Sequence, residues 1–215
     1  MERYKRQISL IGENGQEKLK KAKILVVGAG GIGNIAAKYL ASSGVGRITI
    51  ADGDTVDESN LNRQLLFNTE SIGKNKAIKL CKTISKINPE ILCGAYSYRI
   101  TGDTCIIGYD LILDCTDNLE TSYHLESEAI REGIPLIFAK TSKWFGSVTV
   151  IRSKYLKKDY PTNQLNTNNS VIPPIGGIIG SFQANLALKI ILGKEISNKV
   201  FYFDILNDKF IQFDK

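Results

Sequence analysis

The sequence predicts an α/β protein with a Rossmann-like, mostly parallel sheet, helices on both faces, and a mixed or antiparallel C-terminal part. Two observations support this prediction. Short apolar runs alternate with segments of helical spacing over about the first 140 residues, as in successive βαβ units. The last two apolar segments instead alternate apolar and polar residues around a short Asn-Asp turn, which is typical of an antiparallel hairpin.

The first predicted βαβ unit contains a glycine-rich turn. A β-branched apolar run, typical of a strand buried on both faces, is followed by Gly28, Gly30 and Gly33 in a G-x-G-x-x-G pattern. The second strand of the unit ends on Asp52. Such glycines let the backbone approach a phosphate at a helix N-terminus, and such an acid can bind ribose hydroxyls, so the unit predicts a nucleotide site. The strand, helix and strand of this unit are predicted at residues 24–27, 34–43 and 47–52.

The alternation of elements continues to the C-terminus. Further helices are predicted at residues 73–87, 119–132 and 181–192. Further strands are predicted at residues 109–114, 134–139, 146–151, 199–205 and 209–213. Residues 154–174 are rich in Asn, Thr, Lys and Pro and have no periodicity, which is typical of a functional or disordered loop.

The length and the charge exclude several classes of protein. A chain of 215 residues can bury a substantial core without metals or disulfides, and a net charge of +6 is too small to indicate nucleic-acid binding. No apolar run approaches the roughly 20 residues of a membrane span, and the first residues lack a signal-peptide pattern. We therefore expect a cytoplasmic protein without a membrane or nucleic-acid partner.

The cysteine pattern argues against a metal site. Cys81, Cys93, Cys105 and Cys115 include no C-x-x-C pair, and His124 is the only histidine. Structural zinc usually needs about four N or S ligands in close sequence pairs, so we expect no zinc. Disulfides are rare in cytoplasmic proteins, and we therefore expect the cysteines to be buried as small apolar residues.

Polar residues concentrate at two predicted strand ends. Residues 52–64 read DGDTVDESNLNRQ, and Lys76 follows at the start of the next helix. Residues 114–118 read DCTDN, at the sheet edge where ligands of open α/β sheets bind. One Arg, one Lys and one or two Asp residues at this edge can clamp a triphosphate and its Mg²⁺. An NAD-dependent oxidoreductase does not need this clamp, and it remains the less favoured alternative.

Several motifs in order resemble the ThiF/MoeB/HesA family of adenylyltransferases, which are similar to ubiquitin-activating enzymes. The resemblance covers nearly the whole chain. The motifs are RYKRQ at residues 3–7, GQEKLKKAKILVVGAGGIG at 15–33, GVGRITIADGD at 44–54, SNLNRQ at 59–64, GKNKA at 73–77, INP at 87–89, DLILDCTDN at 110–118 and G-x-x-G-x-x-Q-A at 177–184.

The resemblance implies adenylation, with ATP and Mg²⁺, of a ThiS/MoaD-type ubiquitin-like sulfur-carrier protein ending in Gly-Gly. The carrier's terminal carboxylate would attack the α-phosphorus, giving an acyl-adenylate and pyrophosphate. The family also implies a homodimer and one domain, 1–215, with a nucleotide-binding half to about residue 140 and a carrier-binding half with a crossover loop from about 141. The motifs leave open another carboxylate, on a peptide C-terminus or a modified tRNA base, and only the latter would make a nucleic acid a partner.

The resemblance also implies residue roles. Gly30 and Gly31 would lie under the adenosine, Asp52 would bind the ribose, and Asp117 would hold Mg²⁺. The residues expected at the phosphates are Asn60, Arg63, Gln64 and Lys76. The other residues expected to bind the nucleotide are Gly28, Gly33, Asp54 and Asn118. The residues expected to act in catalysis are Arg63, Lys76, Asp117 and Arg6, the last of these reaching the ATP of the partner subunit.

Each of these roles has a structural alternative. Asp52 could cap the turn that follows it, and Arg63 could form a surface ion pair with Asp54 or Asp57. Near a chain terminus, Arg6 could simply be solvated.

For two further roles, nearby residues of the same type are alternatives. Lys76 competes with Lys74 and Lys79 for the phosphates. Asp114 could be structural at the strand end, whereas Asp117 better fits the metal position.

The chain also departs from the family pattern. Some relatives form a covalent intermediate on a cysteine of the crossover loop, but no cysteine follows Cys115, so we expect no covalent transfer there. Leu186 stands where the family often has Glu.

Overall fold

The computed structural model describes residues 2–159 and 170–215 and contains an eight-stranded sheet. The strands are β1 (Lys23–Val27), β2 (Arg47–Ala51), β3 (Leu92–Tyr96), β4 (Leu111–Asp114), β5 (Leu136–Ser142), β6 (Phe145–Ile151), β7 (Lys199–Asp204) and β8 (Lys209–Asp214). The helices of the described ranges are α1 (Lys5–Lys21), α2 (Gly31–Ser42), α3 (Lys76–Ile87), α4 (Leu119–Glu132), α5 (Leu156–Asp159) and α6 (Pro173–Ile191).

The strand order β3-β2-β1-β4-β5-β6-β7-β8 divides the sheet into two halves. Every pairing from β3 to β5 is parallel, and every pairing from β5 to β8 is antiparallel. Helices α2, α3 and α6 cover one face, where Ile24 and Val26 point, and α4 covers the other, where Leu25 and Val27 point. The predicted fold class is confirmed.

Helix α6 is long and apolar enough to cross a membrane, judged by length and composition alone. Its side chains Ile175, Ile179, Ala184 and Leu186 are buried in the main core, where α6 packs against α2 and the strands β5 and β6. The buried side chains make α6 a core helix of the folded domain.

Several element boundaries differ from the predictions. Helix α6 begins at Pro173 rather than at residue 181, because proline at the first helical positions loses no intrahelical hydrogen bond. Helices α1 and α5 and strand β3 were not predicted. Helix α5 lies inside the segment predicted to be a loop, and residues 160–169 of that segment lie outside the described residues.

The expectation of four buried, unbridged cysteines is wrong. Cys81 of α3 and Cys93 of β3 form a disulfide, Cys105 is exposed, and only Cys115 is a buried free thiol. Helix α3 packs against β3, which brings the two Cα atoms to 5.6 Å, a normal separation for a bridge that sequence spacing does not show. The cytoplasmic location stays a prediction.

Candidate nucleotide-binding site

The carboxyl ends of β1, β2, β4 and β5 surround a cavity of about 420 Å³. The first turn of α6 closes it from one side: a Cβ on Gly176 would lie 3.4 Å from the backbone of Gly31. The predicted site residues that line it are Gly28, Gly30, Gly31, Asp52, Asp54, Arg63, Gln64, Asp117 and Asn118. The predicted site residues outside its lining are Arg6, Gly33, Asn60 and Lys76.

The glycine turn between β1 and α2 is required by close packing. Gly28 has φ of +95°, and a Cβ there would approach the carbonyl oxygen of Cys115 to 2.6 Å. A Cβ on Gly33 would overlap the carbonyl oxygen of Gly28. Gly33 therefore acts beneath the cavity, where it lets α2 pack tightly against the turn.

Asp52, at the end of β2, ties the glycine turn to the loop that follows β2. Its two carboxylate oxygens accept hydrogen bonds from the N–H groups of Ala29 at 2.7 Å and Asp54 at 2.8 Å. Burial raises the pKa of Asp52, and both hydrogen bonds oppose that shift. Asp52 therefore caps the turn that follows it, as the structural alternative expected, and it also lines the cavity. Its ribose role stays a prediction.

Asp54 is the centre of an ion network on the same side of the cavity. Its carboxylate lies 3.3 Å from Nζ of Lys76 and 2.7 Å from Nη2 of Arg99, and Arg99 holds the pKa of Asp54 below its usual range. The Lys76 side chain is buried behind this carboxylate, whereas Lys74 is exposed. Arg99 lines the cavity and was missed, because it follows β3, a strand that was itself not predicted.

Arg63 carries a charge that no carboxylate neutralises within the described ranges. Its Nη1 donates to the carbonyl oxygen of Ser59 at 2.7 Å and to Oδ1 of Asn62 at 3.0 Å, so the proposed pairing with Asp54 or Asp57 is not observed. A Cβ on Gly31 would lie 3.6 Å from Cγ of Arg63. Arg63 therefore lies directly beside the glycine turn.

Asn60 and Gln64, which are close to Arg63 in sequence, differ in their position relative to the cavity. Asn60 is buried outside the cavity lining, and its Oδ1 accepts the N–H of Asp57 at 3.1 Å, which fixes the turn that carries Arg63. Gln64 lines the cavity, and its buried Oε1 has no hydrogen-bond partner in the described part of the chain. A buried polar atom without a partner is uncommon in folded proteins.

Asp114, the last residue of β4, and Asp117, which follows this strand, have different surroundings. Asp114 is fully buried, and its Oδ1 accepts hydrogen bonds from the N–H and the hydroxyl of Thr116 at 2.9 and 2.8 Å. Asp117 is exposed and lines the cavity. Asn118 also lines the cavity and caps α4 by accepting the N–H of Thr121 at 3.1 Å. The other carboxylate oxygen of Asp114, Oδ2, is buried without a hydrogen-bond partner among the described residues, and Asp114 lies outside the cavity lining. The metal role of Asp117 stays a prediction.

Lys140, near the end of β5, is a second cavity cation that sequence analysis missed. Its Nζ donates to the carbonyl oxygen of Thr116 at 2.5 Å and to the hydroxyl of Ser122 at 3.2 Å. The predicted strand ended at residue 139, so no signal marked Lys140. Arg6 lies on α1, exposed, and outside the cavity lining of its own chain.

Comparisons with known proteins identify the family of the chain. The chain matches the ThiF family over residues 4–215. It is 36% identical to the molybdopterin-synthase adenylyltransferase of Salmonella typhimurium over 98% of this chain and 90% of that protein. It is also 36% identical to the sulfur carrier protein ThiS adenylyltransferase of Escherichia coli over 90% of this chain and 82% of that protein.

Two further relatives differ in length or in identity. The chain spans 50% of the adenylyltransferase and sulfurtransferase MOCS3 of Xenopus laevis, with 36% identity over 97% of this chain. The crystal structure of E. coli MccB with ATP has a TM-score of 0.83 and 24% identity, covering 99% of this chain and 70% of that one, and it supports the fold alone. On the family match and the two relatives of which it spans 90% and 82%, the chain belongs to the ThiF family and is an adenylyltransferase.

Proposed function

We propose that the enzyme transfers AMP from ATP to the C-terminal glycine carboxylate of a small ubiquitin-like sulfur-carrier protein of the ThiS/MoaD type. The observation that carries the proposal is the nearly full-length similarity to two relatives, one of them named for the sulfur carrier protein ThiS. The cavity is consistent with it, because a glycine turn and Asp52 lie at its β1–β2 side and Arg63 has no carboxylate partner in the described chain.

The described residues suggest how ATP is held. The adenosine lies over Gly30 and Gly31, the ribose hydroxyls bind Asp52, and Arg63 and Gln64 contact the phosphates. A carboxylate oxygen of the carrier then attacks the α-phosphorus, and the bond to the pyrophosphate breaks. The protein contributes mainly position and neutralisation of charge, as is usual in such transfers.

The cavity also fits Mg²⁺. No group of three or more His, Cys, Asp or Glu side chains that could hold an ion occurs within residues 2–159 and 170–215. Mg²⁺ bound with substrate phosphates commonly needs only one or two carboxylates, and Asp117 offers an exposed one inside the cavity. When bound there, Mg²⁺ would neutralise negative charge on the phosphates.

A homodimer belongs to the same proposal. Arg6 lies outside the cavity of its own chain, and Leu10 on the same helix is 87% exposed, which suits a surface covered by a second subunit. An arginine is well suited to bind a phosphate in the partner subunit, because its planar guanidinium binds two oxygens and stays charged. Mixing Arg6→Ala and Asp117→Asn subunits should restore activity if Arg6 acts across the dimer.

The test is pyrophosphate exchange into ATP in the presence of candidate carrier proteins ending in Gly-Gly. We expect exchange with at least one such carrier and none with the same carrier lacking its last glycine. Exchange that depends only on a peptide or a tRNA would show that the enzyme catalyses adenylation but acts on a different carboxylate substrate. Thermal stabilisation by NADH but not by ATP with Mg²⁺ would favour the oxidoreductase alternative.

A further inference from the structure

The cavity contains an unassigned ammonium group at the edge of the parallel sheet. In the strand order β2-β1-β4-β5, Asp52 directly follows β2 and Lys140 lies near the end of β5, so the two residues mark opposite sides of the cavity. Lys140 is half-buried, and its Nζ lies over the ring of Phe138, 5.1 Å from the ring centroid. These contacts hold the Lys140 side chain in one place, unlike the side chain of a solvated surface lysine.

The hydrogen bonds of Lys140 leave its charge without a counter-ion. An ammonium group has three N–H donors, and two of them reach neutral oxygens, those of Thr116 and Ser122. No carboxylate lies within 4.0 Å of Nζ among the residues that the structure describes. Partial burial of an unpaired charge costs free energy, which an anion bound in the cavity would offset.

The other cations that line the cavity are placed differently. Arg99 is paired with Asp54, and Arg63 lies beside the glycine turn, where the nucleotide phosphates are expected. An incoming carboxylate would otherwise meet the like charges of Asp54 and Asp117. Of the cavity cations in the described chain, Lys140 alone lies on the β5 side and has a free donor.

We propose that Lys140 binds the carboxylate of the acyl substrate and positions it for attack on the α-phosphorus of ATP. This inference rests on the proposed function. One carboxylate oxygen forms the bond to phosphorus while the bond from phosphorus to the pyrophosphate oxygen breaks, and pyrophosphate leaves. Lys140 donates to the other carboxylate oxygen, which becomes the carbonyl oxygen of the acyl-adenylate, and no proton is transferred.

The test compares two nucleotides that share a negatively charged group at the α-phosphate position and differ in the acyl group. They are AMP and 5′-O-[N-(acetylglycylglycyl)sulfamoyl]adenosine, an unreactive mimic of a Gly-Gly acyl-adenylate. Their dissociation constants are measured by calorimetry for the wild type and for Lys140→Met and Lys140→Gln. The glutamine keeps an N–H donor for the Thr116 carbonyl, which protects against a simple loss of fold, and thermal melting checks both variants.

We expect the wild type to bind the acyl mimic more tightly than AMP. Both variants should bind AMP within about twofold of the wild type and the acyl mimic about tenfold or more weakly, the usual scale for a hydrogen bond to a charged group. Lys140→Arg should restore part of the preference. The matched control is Lys143→Asn, which removes an exposed charge next to β5 and suits the left-handed backbone there, with φ of 53°.

Each other outcome overturns the inference in a recognisable way. Equal weakening of AMP and the mimic would place Lys140 on the phosphate. Unchanged binding of both would make Lys140 a structural residue of the β4–α4 turn. A wild type without preference for the mimic would contradict both this inference and the glycine acyl substrate, whereas a variant that keeps the wild-type preference contradicts this inference alone.

Discussion

The two sides of the cavity differ in whether their charged side chains form ion pairs. On the β2 side, Asp54 is paired with both Lys76 and Arg99. On the β4–β5 side, Asp117 and Lys140 have no oppositely charged side chain within 4.0 Å in the described ranges. The comparison teaches that the paired charges shape the cavity, whereas the unpaired ones are those that we propose for binding metal, phosphate and carboxylate.

Asp117→Asn should have the largest effect on activity. Loss of the charge that we propose for Mg²⁺ binding should lower pyrophosphate exchange about a thousandfold or more, which corresponds to roughly 4 kcal/mol of transition-state stabilisation. Because Asp117 is exposed, the melting temperature should change little. Asp103→Asn, an exposed aspartate outside the cavity lining, is the control and should stay near wild type. Near-normal exchange in Asp117→Asn would remove the metal assignment.

A pair of arginine variants tests the distinction between paired and unpaired charges directly. Arg63→Met should lower kcat/KM for ATP about 10²–10³-fold, the usual scale for one lost group that stabilises transition-state charge. Arg99→Met should cost about tenfold or less, because Asp54 keeps Lys76 as a partner. Steady-state kinetics with ATP measure both values. A larger loss in Arg99→Met than in Arg63→Met would reverse the comparison.

The third prediction concerns the stability of the fold and the packing of the glycine turn. Gly33→Ala forces a methyl group onto the Gly28 carbonyl and should lower the free energy of unfolding by about 1–3 kcal/mol. Urea unfolding measures this difference. Gly102→Ala is the matched control, since a Cβ at Gly102 meets nothing within 4 Å. Equal stability of the two variants would show that the turn relaxes without cost.

The smallest effect concerns the pH dependence of the Asp54 network. The pKa of Asp54 is lowered in the folded state, so its stabilising contribution is present above the unfolded value of about 4 and is lost as the pH falls through the folded value. The stability difference between wild type and Asp54→Asn should therefore be constant near neutral pH and shrink in acid. Denaturation at several pH values measures it, and a difference that grows in acid would contradict the pairing.

The residues on the glycine turn and at the end of β2 could be predicted because their signals are local. Gly28 and Gly33 occur at fixed spacing after a buried apolar strand, and Asp52 directly follows the next one. Helix α4 was predicted at its observed bounds, because Asn118 caps it and Gly133 ends it in the left-handed conformation.

The missed residues depend on tertiary structure. Arg99 follows β3, an edge strand with exposed and half-buried positions and therefore no continuous apolar run. Lys140 lies in β5 beyond the apolar run that marked this strand. Helix α1 contains Gly12 with φ of +72° and Gly15, which oppose a helix prediction locally, although Leu19 is buried in the core.

The most direct test of the proposed reaction follows the carboxylate oxygen. A carrier protein whose C-terminal carboxylate is labelled with ¹⁸O is incubated with the enzyme, ATP, Mg²⁺ and a thiol nucleophile, and the AMP is analysed by mass spectrometry. Attack by the carboxylate on the α-phosphorus, followed by displacement at the carbonyl carbon, predicts one ¹⁸O atom in each AMP formed. Unlabelled AMP, or label in pyrophosphate, would contradict adenylation of the carrier carboxylate.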